Sequence, residues 1–338
     1  MKFCDVVVDL QSGDTGKGKV THSLLRNCNY NLALRYNGGS NAGHTIYHNG
    51  RKIVTHQVPA GVFYGIQSLI GLGCVVNIPK IIEEIKMLNA NGIATDGLIF
   101  IDKRAHLVTD THMIEDSRDG EDPAIAIGTT KQGIGPAYKS KYGRTGIQIG
   151  RKLGTGPNQY FSIVDSMDIF NGARALAEGA QGFALDIDWG EYPYVTSSHC
   201  TVGSACLNGI SPKKIRNIYG VAKAYETYVG AKDFGMDCDD LTKIQIAGNE
   251  FGSTTGRPRK CNWIDIDRLV YAARVNDIDH LIINKMDILD QVGKHIYIKD
   301  GKQVDAASRL GLVTAIKQAV DPSMKSIVTV ISDTPYDI

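Results

Sequence analysis

Short apolar runs alternate with amphipathic stretches along this chain. The run CDVVVDL at residues 4–10 is β-branched and predicts a buried strand. After a glycine-rich segment, Val20, Leu24 and Leu25 share one helical face, which predicts a helix. The Asn-Gly pair at 49–50 lies between two alternating runs and predicts a β-hairpin. The chain therefore begins with a strand, a loop, a helix and a hairpin.

The same strand and helix patterns continue to the C-terminus. We expect a helix with Asn77 as its cap, Pro79 in its first turn and Gly92 after its end. Apolar runs predict further strands at 68–76, 98–102, 218–225, 280–287 and 326–332. Amphipathic patterns predict helices at 263–276 and 306–320.

This alternation predicts an α/β fold with a central, largely parallel sheet flanked by helices on both faces. No repeat, charge block or low-complexity linker divides the chain, so we expect a single domain over residues 1–338. The stretch from about 103 to 160 is polar and glycine-rich. It predicts long loops, which are uncommon in compact domains unless they serve an active site.

Composition narrows the class of protein. A chain of 338 residues with 43% hydrophobic residues can bury a large core. Lys and Arg (37) nearly balance Asp and Glu (36), so we expect neither nucleic-acid nor anionic-membrane binding. The N-terminus does not fit a signal peptide, and no apolar run approaches the roughly 20 residues of a membrane span. Seven scattered cysteines without C-x-x-C spacing indicate reduced thiols and a cytoplasmic location.

The glycine-rich segment GDTGKGK nearly matches a P-loop. Gly13, Gly18 and Lys19 fit the pattern, but Val20 stands where a P-loop needs the hydroxyl of Ser or Thr. Asp14 places a carboxylate inside the loop, which simple phosphate binding does not explain. Backbone N–H groups and lysines at a helix start would hold an anion. The alternative is a glycine turn with solvated lysines.

Two further segments carry candidate chemistry. NKMD at 284–287 has the form that GTP-binding proteins use for guanine, and its alternative is a polar strand end. RYNGGSNAGHT places Asn41, Gly43 and His44 in a loop after a strand. Histidine is the side chain best placed to act as an acid near neutral pH, although a lone loop histidine is more often a surface residue.

Polar side chains also follow in glycine-rich segments further along the chain. IGTTKQGIGPAY has the composition of a phosphate-binding loop or of a plain glycine turn. Two arginines after a Thr-Thr-Gly turn suit a carboxylate or phosphate clamp, and the alternative is a solvated basic turn. The candidate residues in these segments are Thr129, Thr130, Gln181, Thr196, Thr254, Thr255, Arg257 and Arg259.

Taken in order, seven segments resemble the motifs of the adenylosuccinate synthetase family. These segments are GDTGKGK, NAGHT, IGTTKQGIGPAY, EGAQGFALDID, YPYVTSS, STTGRPR and NKMD. The resemblance covers nearly the whole chain and implies a ligase that joins L-aspartate to C6 of a purine nucleoside monophosphate. Asp14 matches the family's base, which removes the N1 proton so that the 6-oxygen attacks the γ-phosphate. His44 matches the acid that stabilises the developing charge.

The resemblance also implies the binding residues. Asp14 and the backbone oxygen of Gly43 match the ligands of Mg²⁺. The triphosphate residues are Gly13, Thr15, Gly16, Lys17, Gly18, Lys19, Gly43, His44, Thr45, Arg259, Lys285 and Asp287. The purine monophosphate residues are Asp14, Asn41, Ala42, Thr130, Arg144, Gln181, Thr196 and Arg257. The aspartate residues are Ser253, Thr254, Thr255, Gly256 and Arg257, and Arg144 matches a residue that reaches the partner's site in a homodimer.

Departures from the family pattern bear on the substrate. Ser12 replaces a Trp of the family loop, and Thr15 replaces a Glu. This form is more similar to the phage-encoded branch, which acts on dGMP with ATP or dATP to make the precursor of 2-aminoadenine deoxynucleotide. A smaller wall suits the added 2-amino group, so we expect dGMP as the substrate, and the host cytoplasm if the chain is phage-encoded.

Two alternatives remain at the level of sequence. One is an enzyme that uses IMP, aspartate and GTP, which NKMD favours as the motif for the donor's base. The other is a GTPase-type switch, suggested by NKMD and the near P-loop. The large separation of those two motifs and the missing hydroxyl at Val20 oppose the switch.

Overall fold

The computed structural model describes residues 1–119, 121, 126–235, 238–252, 256–321, 327–334, 336 and 338. Its strands are β1 (Phe3–Asp9), β2 (Leu32–Arg35), β3 (His44–His48), β4 (Arg51–Thr55), β5 (Gln67–Ile70), β6 (Val75–Val76), β7 (Ile99–Asp102), β8 (His106–Leu107), β9 (Gly156–Pro157), β10 (Ser162–Val164), β11 (Arg174–Glu178), β12 (Ile215–Lys223), β13 (Tyr225–Tyr228), β14 (Lys260–Asp265), β15 (His280–Asn284), β16 (Ile296–Lys299), β17 (Lys302–Asp305) and β18 (Val328–Ser332).

Its helices are α1 (Lys17–Asn27), α2 (Ile78–Ala90), α3 (Asp110–Ser117), α4 (Ile134–Tyr142), α5 (Ile149–Leu153), α6 (Ser166–Ile169), α7 (Gly203–Leu207), α8 (Asp239–Ala247), α9 (Ile266–Asn276), α10 (Met286–Val292) and α11 (Arg309–Val320). Short 3₁₀ turns lie at Ala60–Tyr64, Phe183–Leu185 and Pro212–Lys214. Within the described ranges, no helix is long and apolar enough to cross a lipid bilayer.

The central sheet has the strand order β18-β15-β12-β1-β11-β2-β5-β7-β10-β9. Its neighbouring strands pair in parallel, except that β9 runs antiparallel to β10. Side chains of β1 alternate between two cores: Val6 and Val8 pack on the side of α9 and α11, and Val7 packs on the side of α1 and α2. The predicted α/β fold with helices on both faces is therefore confirmed.

Several local predictions are also confirmed. Asn77 caps α2, because its side chain accepts a hydrogen bond from the backbone N–H of Lys80 at 3.2 Å. The Asn-Gly pair joins β3 to β4, and both of its residues have the positive φ that a tight hairpin turn needs, 50° at Asn49 and 75° at Gly50. The helix predicted at 306–320 begins later, at Arg309, with Ser308 as its cap.

Other boundaries were wrong for identifiable reasons. The run at 68–76 is two strands, β5 and β6, because a tight turn at Gly71–Cys74 separates them; a Cβ at Gly73 would lie 2.0 Å from the carbonyl oxygen of Tyr36. The run at 218–225 divides between β12 and β13, and β15 ends before α10 within 280–287. Residues 263–265 belong to β14, and Asp265 then caps α9. The stretch 103–160 contains α3, α4 and α5 as well as loops.

Candidate active site

Polar residues end the parallel strands at one edge of the central sheet. Asp9 ends β1, Glu178 ends β11 and Arg35 ends β2, and on the other side Lys223 and Asn284 end β12 and β15. The register pairs Glu178 with Arg35 and Lys223 with Asn284. All five side chains are buried. Because the carboxyl ends of parallel strands meet at one edge, these groups form the base of a common site.

A cavity of about 640 Å³ opens above this edge. It brings together most of the residues that the sequence singled out, from seven separate segments of the chain. Those that line it are Gly13, Asp14, Thr15, Gly16, Lys17, Gly18, Lys19, Asn41, Ala42, Gly43, His44, Thr45, Thr130, Gln181, Thr196, Arg259, Lys285 and Asp287.

Not all predicted site residues line the cavity. Gly256 and Arg257 lie outside its lining, as does Arg144, which is exposed just after α4. Ser253, Thr254 and Thr255 fall outside the described residues. The guanidinium of Arg257 donates to the carbonyl oxygens of Gly128 and Thr129, at 3.4 and 2.5 Å. In this structure Arg257 therefore supports the loop that carries Thr130.

The glycine-rich loop is organised by Asp9. One carboxylate oxygen accepts the backbone N–H groups of Gln11 and Gly13, at 2.8 and 3.3 Å. The other oxygen accepts the hydroxyl of Thr15 and the ammonium of Lys17, the latter at 2.8 Å. The side chain of Thr15 is thus directed into the loop, although the sequence argument placed it beside the purine.

Asp14 stands out from this loop toward the cavity, with 35% of its side chain exposed. Its backbone has φ of 56°, and its Oδ2 lies 2.9 Å from Nε of Arg259. Arg259 in turn contacts Glu250 at 2.6 Å, and Glu250 lies 3.2 Å from the buried ammonium of Lys223. Burial opposes ionisation of Glu250, but Lys223 and Arg259 lower its pKa to about 2. The positive charge of Arg259, which Glu250 holds in place, therefore lies beside Asp14.

His44 opens β3 and is 6% exposed. The two terminal nitrogens of Arg35 lie 3.2 Å from its two ring nitrogens. A neutral imidazole accepts through one ring nitrogen only, so at most one of these two contacts is a hydrogen bond that Arg35 donates. Arg35 is held by Glu178 at 2.9 Å. Burial and the charge of Arg35 lower the pKa of His44 to about 4.

The acid role expected of His44 stays a prediction, because this pKa applies to the unliganded protein. The ring is neutral in this state and can donate one N–H hydrogen bond. An anionic phosphate beside it favours the protonated form, so ligand binding would move His44 toward the acid role. Gly18 brings α1 against His44, because a Cβ at Gly18 would lie only 2.8 Å from Cβ of His44.

The NKMD segment starts at the end of β15. Asn284 donates to the backbone oxygen of Thr15 at 2.7 Å and so supports the glycine-rich loop. Lys285 has φ of 67° and donates to the carbonyl oxygen of Gly248 at 2.7 Å. Asp287 lines the cavity, and burial raises its pKa. Asp287 is therefore the group of this segment available to a ligand's base.

The loop that carries Thr130 is held by Asp119. This carboxylate accepts backbone N–H groups of Ile127, Gly128 and Thr129, at 3.1, 2.9 and 2.8 Å. On the opposite wall, Gln181 has φ of 56°, and its buried Oε1 has no hydrogen-bond partner among the described residues. An unpaired buried acceptor is costly, so a ligand donor suits this position.

Oxygen donors in the cavity fit a magnesium ion. The carboxylate of Asp14 and the carbonyl of Gly43 both line it, and hard oxygen atoms are what Mg²⁺ prefers. A second cluster, Asp186, Asp188 and His199, has ligand atoms within 4.8 Å of one another. It does not suit a metal as well, because the oxygens of Asp186 already accept backbone N–H groups, including those of Asp188 and Trp189.

Sequence reasoning missed the buried charges behind the site. They are Asp9, Arg35, Glu178, Lys223 and Glu250. A usable signal existed for four of them, because VVVD, LALR, ALAE and GVAK each end an apolar run with a charged residue. Such a residue at the end of a buried parallel strand lies at the edge where ligands bind.

The low pKa of His44 predicts a pH effect on stability. The unfolded chain protonates this histidine near pH 6.5, whereas the folded protein does so only near pH 4. The folded state therefore loses stability as pH falls from 6.5 to 4, by about 1 to 3 kcal/mol from this group. Urea denaturation at pH 7 and pH 4.5 measures how much unfolding free energy the protein loses between these two pH values. We expect this loss to be smaller in His44→Asn, because asparagine does not titrate. An equal loss in the two proteins would contradict the assignment.

Comparison with known proteins agrees with this geometry. A sequence model of the family described as adenylosuccinate synthetase matches residues 6–159 and 161–319. Adenylosuccinate synthetase of Picrophilus torridus is 40% identical, with 89% of this chain and 82% of that protein covered. The enzyme of Cytophaga hutchinsonii is 38% identical over the same shares.

Two solved structures share the fold. Fully ligated adenylosuccinate synthetase from Plasmodium falciparum superposes with a TM-score of 0.85 and 27% identity, over 99% of this chain and 98% of that one. Succinoaminodeoxyadenylate synthetase of cyanophage S-2L, bound to dGMP and dATP, has a TM-score of 0.78 and 23% identity, over 99% and 94%. The second likeness shows the fold alone. The chain belongs to the adenylosuccinate synthetase family and is a carbon–nitrogen ligase of that type.

Proposed function

We propose that this enzyme joins L-aspartate to C6 of IMP, with GTP as the phosphate donor. The observation that carries the proposal is the meeting of Asp14 and His44 in one cavity, at the glycine-rich loop and at the start of β3. A base and a hydrogen-bond donor facing one space are what a 6-phosphoryl route needs.

In the first step, Asp14 accepts the N1 proton of the purine, and the 6-oxygen attacks the γ-phosphorus of the triphosphate. The leaving nucleoside diphosphate takes the electrons of the broken bond. In the second step, the amino group of aspartate displaces phosphate from C6. The exposed third of Asp14 supports the first role, because the carboxylate reaches the cavity.

His44 would donate its N–H to the transferred phosphoryl group. Arg35 contacts the ring and Glu178 fixes Arg35, so the donor is oriented before the substrate arrives. Backbone N–H groups at the start of α1 would hold the phosphates. Asp14 and the carbonyl of Gly43 would hold Mg²⁺, which supplies neutralisation of charge on the phosphate oxygens when bound.

The structure bears on the choice between IMP and dGMP. The expectation of dGMP depended on two residues smaller than those of the family, Ser12 and Thr15. Both line the cavity, but Thr15 is only 1% exposed and its hydroxyl is bound to Asp9. Ser12 is therefore the change that still supports a larger base. Relatives at 35–40% identity are named adenylosuccinate synthetase, which supports IMP. Because Ser12 is smaller than the family's Trp, dGMP stays the second candidate substrate.

The NKMD segment supports GTP as the phosphate donor. Asp287 lines the cavity beside the glycine-rich loop, and its carboxylate can accept from N1–H and the 2-amino group of guanine. Adenine has neither an N1–H nor a 2-amino group to donate to this carboxylate. We therefore propose GTP, with ATP and dATP as the alternatives.

A homodimer completes the proposal. Arg144 is exposed and has φ of 62°. Exposed apolar side chains occur in the same region, at Ile114, Tyr142, Ile147 and Leu153. Exposed large apolar side chains are common at interfaces between subunits, which supports a dimer. Arg144 would then reach the purine monophosphate in the partner's site.

Asp14→Asn should lower kcat about 100-fold or more, because the amide cannot accept the N1 proton. Its melting temperature should stay close to that of the unaltered protein, since Asp14 lies on the cavity surface. The matched control is Asp188→Asn, at a carboxylate that is 67% exposed and outside the cavity lining. Steady-state turnover decides the matter, and near-normal turnover of Asp14→Asn would overturn the mechanism.

A substrate matrix tests the assignment itself. We expect IMP with GTP to give the highest kcat/KM when IMP and dGMP are each combined with GTP, ATP and dATP at saturating aspartate. A preference for dGMP of about tenfold or more would replace the proposal by the second candidate. Triphosphate hydrolysis that needs neither aspartate nor a purine monophosphate would point to the GTPase-type switch instead.

Mixing two inactive variants tests the shared site. Arg144→Leu and Asp14→Asn should each be inactive alone, whereas their mixture should regain up to about a quarter of normal activity through heterodimers with one intact site. Arg151→Leu, at another exposed arginine nearby, is the control and should stay active alone. No recovery, with subunit exchange shown by mass spectrometry, would mean self-contained sites.

A further inference from the structure

We infer that Asp9 is the positioning residue of the glycine-rich loop, and that its buried carboxylate decides which side chain the loop accepts at position 15. Asp9 is 1% exposed and does not touch the substrates' space directly. Its effect on the reaction passes through the loop segment that carries Asp14.

The acceptor capacity of Asp9 is fully used. A carboxylate offers about four lone-pair positions. The backbone N–H groups of Gln11 and Gly13 occupy one oxygen, and the side chains of Thr15 and Lys17 occupy the other. These donors lie on both sides of Asp14 in the chain. Asp9 therefore fixes the loop before and after the proposed base.

Close packing leaves Asp9 no freedom to move. A Cβ at Gly182 would lie 2.6 Å from Oδ1 of Asp9, so that neighbour must be a glycine. The ammonium of Lys17 is bound twice, by Asp9 and by the carbonyl oxygen of Gln181 at 2.5 Å. Asp9 thus holds one cationic wall of the cavity as well as the loop.

The charge on Asp9 restricts position 15. Thr15 is buried and gives its hydroxyl hydrogen to Asp9. A glutamate there has no hydrogen to give and would bring a second buried negative charge against the first. The threonine that replaces the family's glutamate is accordingly a consequence of Asp9.

A double-mutant cycle on stability tests this pairing without any assay of function. Thr15→Glu should lower the melting temperature by roughly 10 °C, and the neutral Thr15→Gln should lower it less. Adding Asp9→Asn should restore at least about half of the loss in Thr15→Glu, because one of the two charges is removed. The same Asp9→Asn change should give no such gain beside Thr15→Gln.

If Thr15→Glu alone does not fold, the double variant Asp9→Asn with Thr15→Glu should still give folded protein. That recovery would support the inference in the same way as a higher melting temperature. A double variant no more stable than Thr15→Glu alone would overturn the inference. Equal stability of Thr15→Glu and Thr15→Gln would do so as well, because the charge of Asp9 would then be irrelevant.

A second experiment measures the activity of Asp9→Asn. It rests on the proposed function and uses Asp5 as a control. Asp5 lies on the same strand as Asp9 and is equally buried, but it is bound by Tyr30 and Arg216 toward the opposite end of β1. Asp9→Asn should lower kcat about tenfold or more with KM nearly unchanged. Asp5→Asn should lower the melting temperature and leave kcat of the folded enzyme within about twofold.

Equal kcat values for the two variants would reduce Asp9 to a structural residue and overturn the positioning role. Absence of turnover with every purine monophosphate in the unaltered enzyme would instead refute the proposed function. The stability cycle would still decide the pairing of Asp9 with position 15, so the two failures are distinguishable.

Discussion

Two buried carboxylates on neighbouring strands hold the proposed base and the proposed hydrogen-bond donor of this enzyme. Asp9 on β1 binds the loop that carries Asp14, and Glu178 on β11 binds Arg35, which contacts His44. Parallel pairing of β1 with β11 brings both carboxylates to one edge. Burying charge is expensive, and each carboxylate is stable only because its partners are also buried and directed at it. The positions of Asp14 and His44 are thus fixed by buried charged residues at the edge of the central sheet.

A third buried acid extends this arrangement on the other side of the cavity. Glu250 binds Arg259, which faces Asp14, and it also binds Lys223 at the end of β12. Removing any one member would leave an uncompensated charge in a medium of low polarity. Asp14, the proposed base, therefore lies between an anchored loop and an anchored cation, which limits its motion and sets its electrostatic surroundings.

Sequence patterns predicted the sheet, the hairpin and the cap at Asn77, because these depend on local periodicity and turn chemistry. They misjudged the run at 68–76, since a glycine turn that packs under Tyr36 is set by a tertiary contact. Local composition marked the glycine-rich segments and their polar side chains, whereas the roles of the site residues came from the resemblance to the family. The orientation of Thr15 toward Asp9 was not, because both residue types are common in loops and only three-dimensional structure shows which way the hydroxyl points.

Lys19, in the first turn of α1, donates to the hydroxyl of Ser332 and to the carbonyl oxygen of Thr334, at 2.6 and 2.9 Å. These contacts join residues 313 and 315 positions apart in the chain. A pocket that joins the start of α1 to the end of β18 is not complete until residues 332–334 have been synthesised. Loop closure over such a span is slow, so the nucleotide site should be among the last features to form during folding.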